Sequence, residues 1–137
     1  MYRVGFRPHI ADIRMNVAAD TAVEIFKGAV AGMSELMKKK FCNQKHSREI
    51  KNEMIIHSAD ITSLLIDFLN EVLSLSHINK AIYCTADIIK LTGTDLSATL
   101  KGYYANKWDE DIKAVTYHEA ELRKINNKWN TQIIFDI

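Results

Sequence analysis

The sequence predicts an α+β fold, a single two-layer domain over residues 1–137 in which a mainly antiparallel sheet carries two helices on one face. Two segments repeat apolar residues at the spacing of a helix, and most of the remaining chain forms short β-branched or alternating runs. No linker or internal repeat divides the 137 residues, a length typical of one domain.

The chain opens with two predicted strands, Tyr2–Phe6 and Ile13–Val17. A helix is predicted next, over residues 21–38. Thr21 and Glu24 form the T-x-x-E pattern of a capping box, which marks a helix start. The apolar residues that follow fall three or four positions apart and so share one face: Val23, Phe26, Val30, Met33 and Met37.

A basic, polar connection over residues 38–48 is typical of a solvated loop. Glu49–His57 resumes a strand pattern. A second helix is predicted near residues 61–76, capped by Asp60 or Thr62 and ending between Ser76 and Asn79. Its apolar stripe is wide, which predicts the better buried of the two helices. The stripe comprises Ile61, Leu64, Leu65, Phe68, Leu69, Val72, Leu73 and Leu75.

The C-terminal half is strand-like. Apolar or β-branched runs at Ala81–Lys90 and Leu96–Tyr104 flank a turn signal that contains Gly93. Asp111–Arg123 alternates in polarity, and Asn126-Asn127 indicates a hairpin because asparagine tolerates positive φ. The last strand alternates as well, and it is expected to place Trp129, Thr131, Ile133 and Phe135 on its inner side.

Composition excludes several classes of protein. Apolar residues make up 47% and charged residues 26%, and the net charge of +1 predicts no strong nucleic-acid binding. No uninterrupted apolar run reaches the roughly 18 residues of a membrane span, and no signal peptide is recognised, so a cytoplasmic location is expected. Cys42 and Cys84 lie far apart in the sequence and are expected to be reduced thiols.

Acidic groups near both ends of the chain suggest a cation site. Asp136 and the terminal carboxylate of Ile137 follow a strand whose Phe135 is expected in the core. If the strand that begins near Asp12 lies alongside, three carboxylates meet, and such close like charges recruit a proton or a cation. An oxygen-only ligand set favours Ca²⁺ or Mg²⁺ over zinc. Two solvated acids are the alternative.

Four blocks of sequence resemble the archease family, in the same order along the chain. His9–Ile13 resembles its H-T-A-D-I opening, and Asp60–Glu71 is similar to its D-x-x-x-L-L-x-x-x-L-N-E helix. Ile112–His118 resembles the signature I-K-A-V-T-Y-H, and Trp129–Ile137 resembles the family's terminal strand. Arg14 departs from the pattern, because glycine is common at that position.

The resemblance implies an activator rather than an enzyme. Archeases activate the tRNA-splicing ligase, which joins RNA 2′,3′-cyclic-phosphate or 3′-phosphate ends to 5′-hydroxyl ends in tRNA splicing and RNA repair. The protein is then expected to promote guanylylation and multiple turnover of the ligase catalytic subunit. The same resemblance implies a metal site at Asp12, Asp136 and Ile137, with calcium as the expected occupant.

Three further motif residues are possible partner-binding residues: His9, Lys113 and His118. For Lys113, a charge presented to the ligase or its nucleotide and a structural ion pair are both open. His118 falls on the same side of its strand as Ile112 and Leu122, which favours a hydrogen-bonded core histidine.

Two other functions remain as alternatives. One is a chaperone-like modulator of a partner such as an RNA methyltransferase, which would need exposed apolar surface. The other is a metal-dependent hydrolase that uses the acidic cluster, although the sequence shows no recognisable general base.

Overall fold

Seven strands, two α-helices and one short 3-10 turn make up the computed structural model, which describes residues 1–8 and 12–137. The elements in chain order are β1 Tyr2–Pro8, β2 Asp12–Ala19, α1 Ala22–Met37, the 3-10 turn Phe41–Asn43, β3 Glu49–His57, α2 Ile61–Asn79, β4 Ala81–Leu91, β5 Asp95–Tyr104, β6 Ala114–Ile125 and β7 Lys128–Asp136. All of the strands and both helices expected from the periodicity are present.

The strands form two antiparallel sheets. One has four strands in the order β1-β2-β7-β6, and the other has three in the order β3-β5-β4. The α+β class is therefore confirmed, whereas the single sheet that was expected is divided in two. The division depends on which strands pair at long range, since β2 joins β7 across most of the chain.

Both helices pack against strands of both sheets. α1 contacts β2 and β4, and α2 contacts β6 and β4. The rings of Phe26 and Phe68, one from each helix, are fully buried with their centroids 5.7 Å apart. Buried side chains from both helices and both sheets thus form one hydrophobic cluster.

Side chains cap both helices at their N-termini. Thr21 Oγ1 accepts a hydrogen bond from the Glu24 amide at 3.2 Å, as the capping box predicts. Asp60 is the cap of α2, since its Oδ1 accepts from the Ser63 amide at 2.8 Å. This amide lowers the pKa of Asp60 below its ordinary value.

Helix α2 is long and apolar enough to meet the length and composition criteria for crossing a membrane. Most of its apolar residues are core residues, and Leu64, Leu65, Phe68 and Leu69 are all buried. The helix ends at Asn79, within the range of residues 76–79 that the sequence predicts for its end.

The two cysteines form a disulfide, so the expectation of two reduced thiols is wrong. Cys42 lies in the 3-10 turn after α1, and Cys84 lies in β4, against which α1 packs. Their Cα atoms are 5.6 Å apart, well inside the distance that a disulfide requires. Their separation of 42 residues in the sequence conceals this proximity.

Strand β6 is interrupted by a bulge, which overturns the prediction for His118. Its pairing with β7 shifts between Thr116 and Glu121, and Glu119 takes a positive φ of 56°. The shift lets Val115 and Leu122 both face the core, although an unbroken strand would place them on opposite sides. The His118 side chain is consequently 74% exposed instead of lying in the core.

Candidate metal centre

Asp12 and Asp136 lie directly opposite each other on neighbouring antiparallel strands. Asp12 begins β2, Asp136 ends β7, and the two are paired in the register of the sheet. Directly opposite residues point to the same face with Cβ atoms about 5 Å apart, and like charges in that arrangement repel. On the other side of Asp136, β6 places the small, uncharged Ala114. The structure therefore brings together the two side chains that the sequence analysis selected.

The carboxylate of Asp12 is only partly satisfied. Its Oδ1 is buried and has no hydrogen-bond partner among the described residues, and Arg14 Nε is in the same condition. These two atoms are 4.0 Å apart, which is too far for a hydrogen bond. A buried carboxylate oxygen without a donor is costly, and a cation is one way to compensate for it.

The end of the chain lies at the same place. Ile137 follows Asp136 directly, and the Asp136 carbonyl accepts a hydrogen bond from the Lys113 amide at 2.8 Å. Two aspartate carboxylates and the terminal carboxylate fit a hard divalent cation by their chemistry. Within residues 1–8 and 12–137 no group of three His, Cys, Asp or Glu side chains could hold a metal ion. The predicted set has two such side chains and depends on the terminal carboxylate for its third donor.

Two of the other three predicted residues, Lys113 and His118, lie in the part of the chain that the structure describes. Lys113 is exposed and forms no salt bridge with any residue that the structure describes, so nothing supports the ion-pair alternative. His118 lies in the β6 bulge, with its Nε2 3.7 Å from Glu119 Oε1. His9 lies outside the described residues.

A hydrogen-bond network that the sequence analysis missed joins α2 to the Ile112–His118 motif. Asn70 exchanges two hydrogen bonds with the backbone of Val115, at 2.8 and 2.9 Å. Asp67 accepts a hydrogen bond from the Tyr117 hydroxyl, and this bond raises the pKa of Tyr117. The signal that could have revealed these contacts is the occurrence of two polar residues inside the apolar pattern of α2.

Comparison with known proteins identifies the family. The model of the archease protein family matches residues 5–137. This chain belongs to the archease family. It is 28% identical to the archease of Methanosarcina mazei, over 94% of this chain and 92% of that protein. It is 27% identical to the archease of Pyrococcus abyssi, over 94% of each chain.

Solved structures of relatives show the same fold. A solution structure of a protein from Methanobacterium thermoautotrophicum matches with a TM-score of 0.71 at 20% identity, over 98% of each chain. A crystal structure described as an archease and possible chaperone, from Thermotoga maritima, matches with a TM-score of 0.65 at 18% identity, over 96% of each chain. At these identities the likeness concerns the fold alone.

A groove of about 590 Å³ runs along the outer face of the four-stranded sheet. Arg14 connects this groove to the Asp12–Asp136 pair. It binds Glu119, which lines the groove, and its Nε lies 4.0 Å from Asp12 Oδ1. Charges of both signs line it, including Arg123 paired with Glu121. Mixed charges of this kind provide no uniform positive field for a phosphate backbone.

Proposed function

We propose that this protein is a non-catalytic activator of the tRNA-splicing RNA ligase and acts in the cytoplasm. It promotes guanylylation of the ligase catalytic subunit and sustains its multiple turnover in tRNA splicing and RNA repair. Membership of the archease family supports this function. The observation that carries it is the register of Asp12 against Asp136, which gathers acidic oxygens beside the chain end.

Calcium is the proposed occupant of the centre, held by Asp12, Asp136 and the terminal carboxylate of Ile137. When bound, the ion supplies positive charge that offsets the repulsion among these carboxylates. The pairing of β2 with β7 holds the two aspartates side by side, so little reorganisation is needed on binding. Lys113 presents an exposed cationic side chain next to this end of the sheet. The nucleotide and the joining chemistry belong to the ligase.

A chaperone-like activity, for instance on an RNA methyltransferase, is the second candidate. The Thermotoga maritima relative is described as a possible chaperone. In this chain Ile55 and Ile89, which line the same cavity on the three-stranded sheet, are 84% and 66% exposed. Exposed apolar side chains of this kind are what binding to unfolded clients would use.

The deciding experiment measures ligase guanylylation in single turnover and RNA joining in multiple turnover, with and without this protein. Wild-type protein is expected to accelerate both, and Asp12→Ala to accelerate neither. Asp87→Ala removes an exposed aspartate of the other sheet and is expected to behave as wild type. Failure of the wild-type protein to accelerate guanylylation by its cognate ligase would contradict the proposal.

Two further measurements separate the alternatives. Tight, salt-sensitive binding of RNA to the isolated protein would indicate action on RNA and count against action on the ligase. Suppression of the aggregation of unrelated proteins, lost in Ile55→Asp and kept in Asp12→Ala, would favour the chaperone-like function.

A further inference from the structure

Arg14 stands next to the carboxylate pair of Asp12 and Asp136. Its side chain is 24% exposed, and its Nε lies 4.0 Å from Asp12 Oδ1. Arg14 and Asp12 both belong to β2 and, being two residues apart, point to the same face of the sheet. The guanidinium is therefore a fixed positive charge beside one of the proposed calcium ligands.

Two neighbours hold this guanidinium in place. Arg14 Nη1 donates to Glu119 Oε2 at 2.8 Å and has a longer contact of 3.4 Å with Gln132 Oε1. Glu119 is positioned for this contact by the β6 bulge, in which it takes a positive φ. Arg14 is thus anchored to β7 through Gln132 and to β6, on the far side of β7, through Glu119.

The anchoring leaves Asp12 influenced by the charge but not bonded to it. At 4.0 Å, Arg14 Nε makes no hydrogen bond to Oδ1, which has no hydrogen-bond partner among the described residues. The Coulomb interaction does not need a hydrogen bond, and it is screened less in a partly buried site than in open water. The arginine partly neutralises the carboxylates without making a hydrogen bond to Oδ1 of Asp12.

We propose that Arg14 is an internal counter-cation that lowers the affinity of the Asp12–Asp136–Ile137 centre for calcium. This inference rests on the metal site of the proposed function and adds the residue that sets its affinity. The fixed positive charge stabilises the metal-free carboxylates and repels the incoming divalent ion. At separations of about 5–8 Å and a dielectric near that of water, removing such a charge should strengthen calcium binding about tenfold.

The test is calorimetry with calcium chloride on the full chain and four variants. Arg14→Gln removes the charge and keeps a polar side chain. Arg14→Gly removes the whole side chain and is a second neutral variant in case Arg14→Gln folds poorly. Arg14→Lys keeps the charge. Arg123→Gln removes the same charge from the same sheet face, about 20 Å along β7 from Asp136 at about 3.3 Å per residue.

We expect calcium affinity to rise about tenfold in Arg14→Gln and Arg14→Gly, and to stay within about twofold of wild type in Arg14→Lys and Arg123→Gln. Calcium should also raise the melting temperature more in the two neutral Arg14 variants than in wild type. Circular dichroism verifies that each variant is folded.

The possible failures are distinguishable. Equal, measurable calcium affinity in wild type and both neutral Arg14 variants overturns the counter-cation and leaves the metal centre standing. A gain in Arg123→Gln as large as that in Arg14→Gln also overturns it, because the effect would then be one of net charge. No calcium binding by any of the chains overturns both the metal centre and the inference.

Discussion

Asn70 pairs with the backbone of Val115 as a neighbouring β-strand would. Its Nδ2 donates to the Val115 carbonyl at 2.8 Å, and its Oδ1 accepts from the Val115 amide at 2.9 Å. β6 is the edge of the four-stranded sheet, so these backbone groups have no strand partner on that side. The Leu122 amide is likewise bonded to Thr62 of α2, at 3.0 Å. Helix α2 therefore closes the edge of the sheet with its polar side chains.

Replacement of Asn70 by alanine should destabilise the protein. It leaves the amide and carbonyl of Val115 without their partner, and each unsatisfied buried group costs about 1–3 kcal/mol. We expect the free energy of unfolding to fall by about 2–4 kcal/mol in urea denaturation. Asn106→Ala, at an exposed position, is the control and should change it by less than about 0.5 kcal/mol. Equal stability of the two variants would show that the Asn70 contacts contribute little.

Phe68→Ala tests the contact between the helices. Phe68 is fully buried and packs against Phe26, so its removal should empty a core site at a cost of about 3–5 kcal/mol. Ile78→Ala, on the exposed side of the same helix, should cost less than about 0.5 kcal/mol. A loss below about 1 kcal/mol for Phe68→Ala would mean that this face of α2 is wrongly assigned.

The disulfide should contribute to stability. Cys42 and Cys84 are 42 positions apart in the sequence, and closing a loop of about that length stabilises a protein by about 2–4 kcal/mol. Denaturation with and without reductant should reveal this difference, and the double variant Cys42→Ala/Cys84→Ala should be insensitive to reductant. Complete alkylation of both thiols in unreduced protein, after unfolding, would refute the bridge.

The hydrogen bond between Tyr117 and Asp67 should make stability depend on alkaline pH. The Asp67 carboxylate raises the pKa of Tyr117 above its ordinary value of 10.0. Since the pKa is higher in the folded chain, the stabilisation is complete below about pH 10 and is lost as the pH rises through the folded pKa. Asp67→Asn removes the negative charge and should lower the pKa of Tyr117 in a spectroscopic tyrosine titration. The Tyr117→Phe variant shows which transition of the titration belongs to Tyr117, because that transition is absent from it. An unchanged pKa of Tyr117 in Asp67→Asn would contradict the role of the Asp67 carboxylate.

Loss of any one proposed ligand should weaken calcium binding and abolish ligase activation with the fold intact. The variants are Asp12→Ala, Asp136→Ala and one residue added after Ile137, which moves the terminal charge without removing a side chain. Calorimetry and the ligation assay are made on the same preparations. Wild-type calcium affinity in both aspartate variants, or full activation despite lost binding, would exclude this centre.

Local chemistry was enough to predict much of the fold. Capping at Thr21, the helical spacing of apolar residues and the hairpin at Asn126-Asn127 each depend on residues close together in the chain, and all are confirmed. The archease resemblance is confirmed by the family match. It also selected Asp12 and Asp136, which the sheet register places side by side, while their metal remains a prediction.

The sequence by itself determined the α+β class, the extents of most elements and the family. Only the tertiary structure decided the division into two sheets, the disulfide between Cys42 and Cys84, and the exposure of His118 at the β6 bulge. The first two features depend on contacts between residues far apart in the chain. The third depends on the β-bulge between Thr116 and Glu121, where β6 has more residues than the part of β7 that faces it. Periodicity records which side of an element is apolar, but it contains no information on which element lies opposite.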